Sequence, residues 1–153
     1  MVPVETPIGC LKLVAENNQL TAVYFGQDCV PPELEIKETG LLTEARQQLS
    51  AYFSGQLTAF TLPLAPVGTQ FQKRVWQALC RIPYGETASY KEIACRIGNE
   101  KAARAVGGAN HKNPIPIIIP CHRVIGANGA LVGYGGGLRI KETLLALEQR
   151  YAR

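Results

Sequence analysis

Cys121 and His122 are the residues best placed by type to do chemistry, adjacent within Pro120-Cys121-His122-Arg123. They follow the apolar run Ile115 to Ile119, which reads as a buried, strand-like segment ending at the cysteine. A free thiol, with its pKa of ~8.5, is only a few per cent thiolate at neutral pH. An adjacent base, a helix N-terminus or a nearby cation raises that fraction. His122 is the candidate base. Successive side chains of extended backbone point to opposite faces, however, so a turn or a bridging water is needed for proton transfer. A third group should orient the imidazole. Glu148, which interrupts a leucine-rich helical pattern, is the candidate, set against the plainer reading of a solvated surface acid. For Cys121 the plainer reading is a buried inert thiol.

The other four cysteines argue for caution. Cys80 and Cys95 fall among apolar helical positions and are expected in the core. Cys10 and Cys29 lie in the N-terminal half with no histidine near them in sequence, and two thiols do not make a zinc site. His111 and His122 are the only histidines. No metal is expected. Five cysteines at irregular spacing, without a Cys-x-x-Cys pair, argue against a disulfide framework and for a reducing compartment.

The elements that must hold these residues fit in 153 positions, enough for one domain or two small lobes. With 46% apolar residues the chain can bury a core without staples. No apolar run reaches membrane-spanning length and no basic-then-apolar leader opens the sequence, so a soluble cytoplasmic protein without a membrane partner is expected. Charge is divided unevenly. Residues 1–68 carry three Lys or Arg against seven Asp or Glu, and residues 69–153 carry thirteen against five. A C-terminal part at net +8 suggests a polyanionic partner, nucleic acid foremost.

The first half reads as a small α/β lobe, residues 1–65. Leu11 to Ala15 and Leu20 to Phe25 favour strands, separated by Asn17-Asn18, a hairpin turn. Thr43 is the expected cap of a helix from Glu44 to about Phe53 with Leu42, Ala45, Leu49, Tyr52 and Phe53 on one side. Phe60 to Leu64 reads as an edge strand interrupted by Pro63. Residues 63–69 look like a link.

The second part, residues 69–153, reads as mainly helical. A helix from Thr69 or Gln70 to about Cys80 offers Phe71, Val75, Trp76 and Leu79 for packing. Ser89 caps a second helix to about Ile97, with Glu92 completing a capping box. After Gly98-Asn99 a third helix is expected from Glu100 to about Ala109. The pair resembles a helix-turn-helix. Its second helix is rich in alanine and glycine and offers few long polar side chains, so shape or minor-groove contact fits better than base-edge reading in the major groove. A glycine-rich loop, residues 133–137, precedes a last amphipathic helix from Arg139 to Gln149.

The order of these segments carries a resemblance. Arg104-Ala105-Val106-Gly107, Asn113-Pro114, Pro120-Cys121-His122-Arg123-Val124-Ile125 and Gly133-Tyr134-Gly135-Gly136 occur in sequence. The chain resembles the O6-alkylguanine-DNA alkyltransferase family, also called methylated-DNA–protein-cysteine methyltransferases, most strongly from Phe71 to Glu148. The resemblance implies a ribonuclease-H-like α/β lobe and a C-terminal, mainly helical, winged-helix-like DNA-binding domain. It implies a monomer that acts on double-stranded DNA containing O6-alkylguanine, approached from the minor groove. The alkyl group, from O6 of guanine and less readily from O4 of thymine, passes irreversibly to a cysteine after the base is flipped. The reaction is a single turnover and needs no cofactor.

By the same resemblance Cys121 is the acceptor, His122 its base through a water, and Glu148 the group that orients His122. Asn113 braces the turn before the cysteine, and Tyr90 crowds the target phosphate and assists departure of the guanine. Arg104 fills the base stack, while Ala102, Ala103 and Gly107 line the helix laid in the groove. Arg123, Val124, Tyr134, Gly135, Gly136 and Lys141 belong to the base-binding or DNA-binding set. Some relatives carry serine at the place of Gly135, which removes a hydroxyl here but keeps the backbone N–H. Relatives with structural zinc use cysteines and histidines in the N-terminal lobe, and this lobe has no histidine.

Three other readings fit parts of the sequence. An alkyltransferase-like protein would bind damaged DNA without accepting the alkyl group, although that class has another residue in place of Cys121. A helix-turn-helix transcription regulator would bind specific sequence, usually as a symmetric dimer. A cysteine hydrolase would use the same Cys-His-Glu set, but no cleft motif supports it.

Overall fold

The computed structural model describes residues 1–26, 39–126 and 137–152. It divides into two compact units, Met1–Pro66 and Val67–Arg153.

In the first unit, strands β1 (Val2–Thr6), β2 (Gly9–Glu16) and β3 (Gln19–Phe25) form an antiparallel sheet in that order. Val2 pairs with Leu13 and Val4 with Leu11, while Leu11 faces Phe25 and Leu13 faces Val23. This register puts Val2, Val4, Leu11, Leu13, Val23 and Phe25 in the core. Asn17 and Asn18 take φ of 51° and 59°, the two left-handed positions of a tight hairpin turn that asparagine tolerates. Helix α1 (Gly40–Phe53) lays Leu42, Ala45, Leu49 and Tyr52 on the sheet.

Two expectations need correcting here. The cap of α1 is Thr39, whose hydroxyl accepts from Leu42 N, so the helix starts four residues before the expected Glu44. Phe60 to Leu64 is no strand. Pro63 has no N–H to give, and only a bridge from Leu20 to Leu64 forms, fixed by Leu20 N to Pro63 O at 2.8 Å. The strand β1, with only five residues, was not foreseen.

The second unit contains α2 (Gln70–Leu79), β4 (Ala88–Ser89), α3 (Tyr90–Arg96), α4 (Ala103–His111), β5 (Val124–Ile125) and α5 (Leu138–Tyr151). Thr69 with Gln72 and Ser89 with Glu92 make capping boxes, each satisfying two otherwise unpaired N–H groups. Val75, Trp76, Ala78 and Leu79 of α2 are buried, and Trp76 Nε1 donates to Ala109 O of α4 at 2.9 Å. Gly98, at φ 81°, turns the chain between α3 and α4. Helix α4 starts at Ala103, not Glu100, because residues 99–102 form a turn closed by Ala102 N to Asn99 O at 3.1 Å.

Cys80 and Cys95 are exposed, contrary to expectation. Cys80 is the C-cap residue of α2, and Cys95 lies on the side of α3 away from Ile93 and Ala94, which take the core positions. No helix among the described residues is long and apolar enough to cross a membrane.

Candidate active site

The segment leading to Cys121 is buried, but it is a tight turn and not a strand. Pro114 and Pro116 lack N–H groups and cannot sustain a ladder. The chain folds back on itself instead, with Pro116 bridged to Ile119 and Ile119 N donating to Ile115 O at 2.9 Å. Ile117 sits at the bend with φ 75°, a left-handed conformation that a β-branched residue adopts only under constraint. Asn113 supplies much of that constraint. Its Oδ1 accepts from Ile115 N at 2.9 Å and its Nδ2 donates to Ile119 O at 2.8 Å. From α4, Asn110 Nδ2 reaches Cys121 O at 3.4 Å.

Cys121 to Arg123 then form one 3₁₀ turn. Consecutive side chains in such a turn diverge by ~120°, not the ~180° of a strand, which removes the objection raised by an extended backbone. Cys121 is 4% exposed and His122 is fully buried. His122 Nε2 lies 2.6 Å from Glu148 Oε2. Arg123 grips the same carboxylate from its other side, Nε to Oε1 at 2.8 Å and Nη2 to Oε2 at 3.0 Å, and its Nη1 donates to Ile82 O at 2.7 Å. Gly85 N adds a longer contact to Glu148 Oε1 at 3.4 Å. That approach needs glycine: at φ 80°, a Cβ on Gly85 would stand 2.6 Å from Ala152 Cβ.

Helix α5 delivers two of the charged groups. Lys141, Leu144 and Glu148 share one buried face at the three- and four-residue spacing of a helix. Lys141 Nζ donates to Val124 O at 2.5 Å. Strand β5 also pairs in parallel with β4, Ala88 beside Val124 and Ser89 beside Ile125. The pairing brings the start of α3, and hence Tyr90, next to the chain leaving Cys121.

These contacts set the protonation states. Burial opposes the charge of Glu148, but the hydrogen bonds and positive groups of His122 and Arg123 outweigh it and hold the carboxyl at about 2. Burial lowers the pKa of His122; Glu148 works against this, and the charges of Arg123 and Lys141 add to it. The imidazole is therefore neutral at pH 7. With Nε2–H given to Glu148, Nδ1 carries the lone pair, and it has no hydrogen-bond partner among the described residues. Burial also lowers Lys141, against the pull of Cys121, and raises Tyr90, assisted by the negative charge of Cys121. Both side chains thus lie within electrostatic reach of the sulfur.

Cys121, His122, Glu148, Asn113, Tyr90 and Lys141 are brought together. Arg123 and Val124 do not fit the DNA-facing places expected for them. The three guanidinium nitrogens of Arg123 are engaged inside the fold, and its ring partner is Tyr84, with Cζ 5.7 Å from the centroid. Val124 is fully buried in β5. Lys141 is likewise interior. Tyr134, Gly135 and Gly136 lie outside the described residues. On α4, Arg104 is exposed while Ala102, Ala103 and Gly107 are half-buried. A Cβ on Gly107 would meet Tyr90 at an ordinary 3.8 Å, and one on Gly108 would meet nothing within 4 Å. Internal packing does not require this helix surface to be so small. Among the described residues no group of three or more His, Cys, Asp or Glu could hold a metal ion.

Sequence reasoning missed Asn110, Gly85 and the Ile82 carbonyl, because backbone groups and an amide leave no pattern. It also missed the inward turn of Arg123. The available signal was balance, since an acid buried in the last helix needs a cation beside it.

A helix-turn-helix joined to a buried Cys-His-Glu set defines a DNA-binding protein that carries a candidate nucleophile. Residues 4–66 match the 6-O-methylguanine DNA methyltransferase ribonuclease-like domain, and residues 70–150 match the DNA-binding domain of the same family. The methylated-DNA–protein-cysteine methyltransferase of Methanosarcina barkeri is 54% identical, over 98% of this chain and 97% of that protein. The crystal structure of the Mycobacterium tuberculosis O6-methylguanine methyltransferase superposes with a TM-score of 0.90 at 50% identity, covering 99% of this chain and 93% of that one. The structure of M. tuberculosis OGT in complex with DNA gives 0.91 at 50% identity, over 98% and 92%. The chain belongs to the 6-O-methylguanine DNA methyltransferase family, with a ribonuclease-like α/β lobe followed by a helical DNA-binding domain.

Proposed function

We propose that the protein repairs DNA directly, moving the alkyl group of an O6-alkylguanine to Cys121 in a single turnover. The observation that carries the reading is the 2.6 Å contact of His122 with Glu148, one residue after a cysteine held in a 3₁₀ turn. Ionised Cys121 also balances the buried charge. Glu148 is negative, Arg123 and Lys141 are cationic and His122 is neutral, so the groups around the sulfur carry a net positive charge that favours its thiolate.

The thiol proton passes to His122 Nδ1 through a water. Sulfur bonds to the alkyl carbon as the carbon–O6 bond breaks, and the bonding pair leaves with guanine. Tyr90, held as a neutral phenol by its raised pKa, serves as hydrogen-bond donor to the departing base. The thioether formed is stable to ordinary reductants, so the protein is spent.

Because Cys121 is nearly buried and the alkyl carbon lies inside the duplex, the nucleotide must be extruded. The small surface of α4 lies in the minor groove as a monomer, with Arg104 taking the place of the flipped base. Asn113 maintains the turn that presents the sulfur. Lys141 acts from within on the thiolate and not on DNA.

The test is intact mass after mixing with a duplex containing one O6-methylguanine. A gain of about one methyl group, ~14 Da, that disappears in Cys121→Ala supports the reading. Tight binding without an adduct would place the chain with the non-catalytic alkyltransferase-like proteins.

A further inference from the structure

The second unit holds a further cluster of positive charge that the alkyl-transfer site does not use. Arg74, Gln77, Ala78, Arg81, Arg96 and Ile97 line an open cavity of about 170 Å³ between α2 and the end of α3. Three of its six lining residues are arginines and none is acidic. Arg96 has a weak acidic neighbour: Glu92 Oε2 stands 4.0 Å from it, with both side chains reaching solvent. Arg74 donates to the Ile97 carbonyl, which covers an oxygen at the negative end of α3 that would otherwise repel an anion. Among the described residues Arg81 makes no ion pair, and Arg96 shares only the long contact with Glu92, which leaves guanidinium donors for a ligand.

Guanidinium forks match phosphate in shape and charge. The position of the cavity on α2 separates it from the reading helix. At ~100° per residue, Arg74 stands ~160° from Trp76 on α2, and Arg81 follows in the turn just past Leu79 and Cys80. Trp76 is the side chain that binds α4. Arg74 therefore lies on the flank of α2 away from Trp76, where Arg81 from the turn after α2 and Arg96 from the end of α3 join it around the cavity.

We propose that Arg74, Arg81 and Arg96 form a second phosphate site, which takes a backbone phosphate of duplex DNA outside the stretch occupied by α4. The proposal rests on the reading of this chain as a DNA-binding repair protein and adds a contact to it. Such a site lengthens the footprint and strengthens binding without carrying sequence information.

The test compares wild type with R81Q/R96Q, which leaves the Arg74–Ile97 bond in place, and with R150Q as a control for loss of charge on an exposed arginine elsewhere. Each is titrated with lesion-free duplexes of about 8 and about 24 base pairs over a range of salt, where each phosphate contact contributes ~0.9 to the slope of log Kobs against log[salt]. The expected result is a slope shallower by about 1 for R81Q/R96Q on the long duplex, no change on the short one, and wild-type behaviour for R150Q. An unchanged slope on both duplexes would overturn the proposal, as would an equal change on both. Stabilisation of wild type, but not R81Q/R96Q, by inorganic phosphate with unchanged DNA slopes would also overturn it, assigning the cavity to a free anion. Methyl acceptance from an O6-methylguanine duplex at saturating concentration is measured alongside. Its retention in R81Q/R96Q keeps the repair reading independent of this site, and its absence from wild type would sink that reading while the slopes still decide this one.

Discussion

Glu148 and Arg123 form a two-pronged ion pair at 2.8 and 3.0 Å inside the helical unit, and the same carboxylate holds His122. One acid on α5 thus fixes two consecutive residues of the turn that starts at Cys121. The position of the imidazole and the nitrogen that carries its proton are set by a single group.

Glu148→Gln keeps the shape and removes the charge. Arg123 is left buried without its counter-ion, and breaking a buried pair in this way costs about 3–5 kcal/mol. One acceptor oxygen remains for His122 and Arg123 where there were two, and it is uncharged, so the imidazole proton is held less firmly on Nε2. Urea unfolding should show the stability loss, and the rate of methyl uptake should fall at least about tenfold. Normal uptake by a destabilised protein would mean that Glu148 serves the fold alone.

Acid should weaken the fold in two stages. The folded pKa of His122 is lowered, so the unfolded chain takes up a proton first as pH drops below about 6.5, and stability starts to fall. The carboxyl of Glu148 is held at about 2 against an ordinary 4.5, so its contribution is complete above about 4.5 and is lost as pH falls towards 2. Thermal melts across pH 2–8 should show both windows. His122→Gln should flatten the upper window and Glu148→Gln the lower; a wild-type profile flat from pH 7 to 5 would contradict the neutral buried imidazole.

Much of this organisation was legible in the chain, for identifiable reasons. The Ser89–Glu92 capping box fixes the start of α3 because cap chemistry is local, and the strands flanking Asn17-Asn18 follow from alternation and turn type. The Cys121–Ile115 segment misled because five apolar residues look alike in a strand and in a buried turn. Pro114 and Pro116 argue against a ladder, but the turn itself is fixed by the partners of Asn113, and those partners are backbone groups. Arg123 misled for the related reason that burial of a cation depends on where a distant acid arrives. Its 25-residue separation from Glu148 gives no periodic signal.

Lys141 should support the thiolate from inside the fold. Lys141→Met keeps the buried stem and removes the charge, leaving the sulfur with less positive surroundings. Thiolate absorbance, followed against pH in a background where Cys10, Cys29, Cys80 and Cys95 are serine, should titrate at higher pH in the variant. An unchanged titration would place the influence of Lys141 elsewhere.

Asn113→Ala removes both clamps on the Ile117 bend. With φ at 75°, that bend holds about 1–3 kcal/mol of backbone strain, which the two hydrogen bonds offset. The strain should relax by moving Cys121, so methyl uptake should slow on a duplex and on a free O6-alkylated base alike, with stability lower by about 2 kcal/mol. Asn113→Asp, which keeps the acceptor for Ile115 N but not the donor to Ile119 O, should fall between. Uptake as fast as wild type would show that the turn holds its shape without the amide.

Arg104→Ala should behave in the opposite way. The side chain is exposed, so stability should change by no more than about 0.5 kcal/mol. Its proposed work begins only when a nucleotide leaves the stack, and a free base has no stack to fill. Methyl uptake from duplex DNA should therefore slow by at least about tenfold, while uptake from a free O6-alkylated base stays near wild type. Equal slowing on both substrates would place the side chain at the base pocket and remove the stack-filling role.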